Sequence, residues 1–255
     1  MRRIPILMAV LFLVAAVPAN ALPGFEVGAR GMYWFPDLSA NVKTTTNGVT
    51  GEFDAKNSLG MENKNFPSGE AFVRLGNVHF RMGYTPVKFD GDKTLTDNIV
   101  FNGQTFAITN RVISHLDVKM IDGELQFDLL RPDLGVASMN LGVIVKVKYV
   151  DGNVELNDRT TGEVQKKDFK APIPMVGIAA GAGFLKDMVR ADARVTGVSY
   201  AGNHLFEGDA FASFAPLPFF RVQGGYRLID LKIDKDDILA ALKLKGPYVG
   251  AQLSF

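Results

Sequence analysis

The chain has 255 residues, 28 Lys and Arg against 27 Asp and Glu, and no cysteine. A net charge of +1 supplies no electrostatic footprint for nucleic acid, and the lack of cysteine removes disulfides, thiolate metal sites and cysteine nucleophiles. With 47% hydrophobic and 22% charged residues the chain is not disordered, and its 26 glycines and 19 phenylalanines suit many short turns and an aromatic-rich β surface.

Arg2 and Arg3 precede an apolar run over residues 4–17, followed by Pro18, Ala19, Asn20 and Ala21. A basic start, an apolar stretch of about 7–15 residues and an A-x-A site describe a secretory signal peptide. The run is shorter than the roughly 20 residues that a spanning helix needs. Cleavage after Ala21 is expected, leaving residues 22–255 as a single domain.

The remainder reads as ten strands, with a tolerance of two. Over residues 25–35, Phe25, Val27, Ala29, Gly31, Tyr33 and Phe35 share one face, and Glu26, Gly28, Arg30, Met32 and Trp34 the other. That period of two marks a strand with one apolar face. Residues 36–69 read as a long polar loop, a length that is usually functional. Strands follow over 70–76 and 78–90, where Pro86 predicts a bulge or lost pairing. Residues 90–110 form a second polar excursion with a small hairpin near Asn102 and Gly103. In the fourth strand, 112–130, Leu116, Val118 and Met120 have one parity and Leu125, Phe127 and Leu129 the other, which predicts a β-bulge at residues 121–123. Further strands are read at 137–156, 163–185, 189–200, 207–215, 219–234 and 239–255.

Alternation leaves two architectures open. A soluble periplasmic barrel carrying apolar ligands turns its apolar faces inward, and a membrane barrel turns them outward. The C-terminal stretch separates them. Residues 246–255 read Gly-Pro-Tyr-Val-Gly-Ala-Gln-Leu-Ser-Phe, and Tyr248, Gly250, Leu253 and Phe255 resemble the terminal strand of small Gram-negative outer-membrane β-barrels, including uncharacterised small ones. The resemblance implies a transmembrane antiparallel up-and-down barrel with short periplasmic turns and longer extracellular loops. It also implies recognition of those four residues by the barrel-assembly machinery, and contact with outer-membrane lipid and lipopolysaccharide. Aromatics near strand ends (Tyr33, Trp34, Phe35, Phe219, Phe220, Phe255) suit membrane interfaces.

In that orientation the polar faces line a lumen. The residues assigned to it are Glu26, Arg30, Arg74, Arg81, Asp117, Lys119, Glu124, Asp128, Lys146, Lys148, Arg190, Asp192, Arg194, Arg221 and Arg227. Ten are basic and five acidic, so a positive lumen with mild anion preference is expected if it conducts, and a plug if it does not. Among chemical candidates, His79 reads as a lumen residue and His115 with Asp117 as a structural hydrogen bond. Ser199, His204, Glu207 and Asp209 lie within 11 residues and are the best hydrolase candidates, though a solvated turn explains them as well. The acids at 90–92 and 234–237 read as turn carboxylates. No Walker loop, dinucleotide fingerprint or HExxH occurs, so no cofactor or metal is expected. The expected function is a non-enzymatic outer-membrane barrel: a narrow small-solute channel or a structural and surface-interaction protein. A rim-site hydrolase acting on lipid A or peptide is the alternative within the membrane.

Overall fold

The computed structural model describes residues 24–46, 49–101, 103–235 and 238–255. The expected signal peptide, Asn102, Asp236 and Asp237 lie outside the described residues. Ten strands close an antiparallel barrel: β1 (Phe25–Trp34), β4 (Phe66–Leu75), β5 (Val78–Thr94), β8 (Arg111–Leu130), β9 (Ala137–Asp158), β10 (Val164–Phe184), β11 (Val189–Tyr200), β12 (Asn203–Leu217), β13 (Phe220–Lys235) and β14 (Ile238–Ser254). The seam joins β14 to β1, from Gly28↔Ser254 to Trp34↔Tyr248.

The long polar segment is structured. After Pro36, β2 (Asp37–Thr46) continues along β14 from Asp37↔Lys245 to Thr44↔Ile238, and β3 (Val49–Asp54) pairs with β2. A single helical turn, α1 (Ala55–Leu59), follows. It is capped by the Asp54 side chain, which accepts from the Asn57 amide at 2.8 Å. Its Ala55 and Leu59 are buried, and it lies so close to β5 that a Cβ on Gly91 would meet the Leu59 carbonyl oxygen at 2.2 Å. The expected small hairpin is present as β6 (Ile99–Phe101) and β7 (Gln104–Phe106). Both chain ends of the barrel and the short turns at 76–77, 131–136, 185–188 and 218–219 share one end, and the longer connections occupy the other.

The barrel wall changes its surroundings along its length. On β8 the even residues face inward from Val112 to Asp128, with unbroken register to both neighbours through residues 121–123. The expected bulge there is absent. Val118 and Met120 are buried inside near the loop end, while the inward residues of the turn-end half are Asp122, Glu124, Gln126 and Asp128. Outside, Lys119 and Ile121 mark the reverse change, and Leu125, Phe127 and Leu129 stand exposed. β5 and β9 switch likewise, from exposed Met82 and Val147 to polar outer residues such as Lys88 and Asp151. A single strand parity thus carries two opposite arrangements of polarity. The turn-end half is polar inside and apolar outside, and the loop-end half is built like a soluble protein. The latter encloses a core of Trp34, Leu38, Leu59, Phe66, Val87, Phe89, Ile99, Phe106, Leu156, Leu205, Ile229 and Leu244.

Prolines mark where neighbours part. β5 pairs with β4 only as far as Tyr84↔Gly69, while its pairing with β8 continues through Pro86 to Thr94. β10 leaves β11 at Val176↔Gly197 and continues along β9 past Pro174 and Pro172. A missing N–H costs least on an edge that has lost its partner.

Candidate functional site

The polar interior of the turn-end half is built from cross-strand pairs. Register places Arg30 opposite Glu70, Arg74 opposite Glu26, Arg81 opposite Glu124, Glu124 opposite Lys146, Asp122 opposite Lys148, and Asp209 between Arg194 and Arg227. Opposite charges facing one another across a ladder stabilise the sheet, and here they also knit across the barrel.

Arg30 bridges Glu70 at 3.2 Å and Asp209 at 3.3 Å. Arg194 reaches Asp209 at 2.6 Å and both Glu70 and Glu124 at 3.4 Å. Arg81 completes the ring on Glu124 at 2.7 Å, and the Tyr248 hydroxyl donates to Asp209 at 2.8 Å. Immediately beyond, Lys148 lies 2.6 Å from Asp122 and 2.9 Å from Glu207, and Lys146 contacts the same two carboxylates. Arg227 donates to Thr85 at 3.0 Å and lies over the Trp34 ring at 5.3 Å. A cavity of only about 50 Å³ remains within this network. Towards the turn end the interior opens into a vestibule of about 640 Å³. There Arg190 bridges Asp192 at 2.9 Å, Arg74 meets Glu26 at 3.3 Å, His79 bonds Asp128 at 2.9 Å, and Arg221 donates to Ser213 and the Asp187 carbonyl.

Thirteen of the fifteen positions assigned to the lumen — Glu26, Arg30, Arg74, Arg81, Glu124, Asp128, Lys146, Lys148, Arg190, Asp192, Arg194, Arg221 and Arg227 — face inward. Asp117 and Lys119 do not. They stand on the outer face beyond the polarity change, where Asp117 pairs with Lys88 at 2.8 Å and Lys119 is exposed. Glu70, Asp122, Glu207 and Asp209 face inward instead. These exchanges turn ten cations against five carboxylates into nine against eight, so the positive lumen gives way to a balanced one. For three of these acids the signal is register: Glu70, Asp122 and Asp209 stand directly opposite Arg30, Lys148 and Arg194, whereas Glu207 stands opposite Thr196 and Ile229 and carries no such signal.

The other candidates also redistribute. Trp34 is not an interface aromatic; it is buried inside and donates to the Gly246 carbonyl at 3.1 Å. Of the C-terminal four, Tyr248 and Gly250 have inward parity, while Leu253 and Phe255 face out, the Phe255 ring stacked 6.4 Å from Phe219. His115 bonds Asp90 through Nδ1 at 2.6 Å rather than Asp117. Lys64 and His115, both hydrogen-bonded to Asp90, hold its carboxyl below the usual range, and Arg111 does the same to Asp92. Among the described residues no group of acids and histidines could hold a metal. The proposed hydrolase cluster is split by the wall: Glu207 and Asp209 face inward, and Ser199 and His204 outward.

No family model and no curated protein matches the chain. Among solved structures, the outer-membrane protease OmpT of Escherichia coli is similar over 93% of this chain and 100% of its own, with a TM-score of 0.54 and 8% identity. Ail of Yersinia pestis (12% identity, 92% of this chain and 100% of Ail, TM-score 0.35) and the neisserial surface protein NspA (13%, 91% and 98%, TM-score 0.36) are also found. The likeness to OmpT is one of fold: the chain is a closed antiparallel ten-strand barrel of the outer-membrane type.

Proposed function

We propose that this chain is an integral protein of the bacterial outer membrane, closed to solutes, whose working surface is the loop-end crown. One observation carries the reading. The outer wall of the turn-end half exposes an apolar band that includes Phe80, Met82, Leu125, Phe127, Val145, Ile178, Val195 and Val249, while the same strands bury charged residues inside. Water would disfavour that inversion, and hydrocarbon requires it. The turns and chain ends then lie in the periplasm, and the crown outside the cell. Outward Leu253 and Phe255 suit an assembly signal read from the periplasmic side, and the crown's polar outer face meets lipopolysaccharide.

The charged network and the apolar crown above it favour a structural or surface-interaction barrel over a small-solute channel. The test combines membrane fractionation, gel mobility with and without boiling, and planar-bilayer recording. The expected results are recovery with the outer membrane, a heat-dependent shift in mobility, and no steady conductance. Release with the periplasm would refute the membrane location, and a steady ion current would refute the closed lumen.

A further inference from the structure

On three adjacent strands, the first polar outward residue above the apolar band is Ser199, His204 and Asp230. Below Ser199 the outer face of β11 carries Gly197, Val195, Ala193, Ala191 and Val189; below His204, β12 carries Phe206; below Asp230, β13 carries Leu228 and Tyr226. Ser199 and His204 are direct cross-strand partners, which puts their Cβ atoms about 4.5–5.5 Å apart. Nε2 of His204 lies 3.6 Å from Oδ1 of Asp230, whose other oxygen is 2.9 Å from Lys243. His204 thus has a serine on one neighbouring strand and a carboxylate on the other.

A second observation lies beside them. Where β10 leaves β11, the outer wall is indented by an apolar groove of about 570 Å³, lined by Pro174, Val176, Ile178, Val195, Phe206 and, at its upper end, Ser199. The Phe206 ring occupies the space that a side chain on Gly197 would fill, with its Cδ1 only 2.4 Å from an ideal Cβ there. The groove thus runs from the polar boundary down into the apolar band, with a hydroxyl at its mouth.

We infer that Ser199, His204 and Asp230 form a hydrolytic site on the outer wall for acyl esters of outer-leaflet lipids, with the acyl chain lying in the groove. This inference rests on the membrane placement proposed above, because only there does a lipid ester reach the height of Ser199. His204 takes the Oγ proton as Ser199 Oγ bonds to the ester carbonyl carbon. The carbonyl–alkoxy bond then breaks, and the departing oxygen takes that proton from His204. Water, activated by the same imidazole, cleaves the acyl-serine and releases a fatty acid. Asp230 is the positioning residue, orienting the ring and stabilising its cationic form.

The test uses the refolded full barrel in vesicles of phosphatidylethanolamine, or of lipopolysaccharide, with released fatty acid as the readout. Release from one vesicle type identifies the lipid class. Ser199→Ala and His204→Ala are expected to lower the rate about a thousandfold, and Asp230→Asn at least about tenfold, with a displaced pH–rate profile. A fluorophosphonate probe is expected to label Ser199 in the wild type and not in His204→Ala. Boiling-dependent mobility checks folding of each variant. No release from either lipid by a wild-type protein that shows the shift overturns the inference, as does full activity in folded Ser199→Ala. A wild type lacking the shift refutes the membrane placement, and the inference falls with it.

Discussion

Lys148 is the residue on which the interior is most exposed to loss. Buried in the barrel, it lies between Asp122 and Glu207, so Lys148→Ala leaves two carboxylates sharing Lys146 and Arg227. Breaking one side of a buried charge network costs about 3–5 kcal/mol. The midpoint of thermal or urea unfolding, followed by the gel shift, should fall accordingly. Tyr248→Phe removes only the hydroxyl donated to Asp209, and about 1–2 kcal/mol is expected by the same measurement. Asp90 offers a check by pH in the crown. Its lowered folded pKa, caused first by the Lys64 hydrogen bond and then by His115, means that the tie is complete above the ordinary Asp value near ~3.9 and is lost as pH falls through the lowered one. Amide exchange near residues 90 and 115 should therefore accelerate below about pH 4, and Asp90→Asn should abolish that dependence.

Single strands were legible in the sequence to within a few residues, because alternation is a local property. Their surroundings were not. In β8 the shift of apolar residues from even to odd positions reads locally as an inserted residue, yet register shows an unbroken strand whose apolar residues change from the inner to the outer face. Asp117 and Lys119 were assigned to the lumen for that reason. Cysteine labelling separates the two readings: Lys119→Cys should react with a membrane-impermeant maleimide on whole cells, while Leu125→Cys should resist it. Protection at 119 would reinstate the bulge; position 125 lies on the apolar outer face in either reading and serves as the control. The last strand makes a separate prediction. Because Phe255 faces outward against Phe219 and Gln252 faces the vestibule, deleting Phe255 should lower outer-membrane levels more than Gln252→Ala does, as read by immunoblot of fractions.

At the scale of the molecule, fold class and strand number followed from alternation and the terminal strand, whereas the charged network inside the barrel did not. It depends on pairs such as Arg30 with Asp209 and Arg194 with Glu70 meeting across the barrel from strands more than a hundred residues apart, a relation that no local pattern carries. Under the membrane placement proposed above, that interior has a kinetic consequence. Taken alone, nearly every wall strand presents a charged face to whatever surrounds it, and in hydrocarbon each such face is prohibitive until its partners arrive. Unpaired backbone adds the same objection. Strands therefore cannot enter the bilayer one after another; the ring of charges has to be sealed at or before entry. Insertion and closure become one concerted step, and the crown, whose core forms in water, can only condense after it.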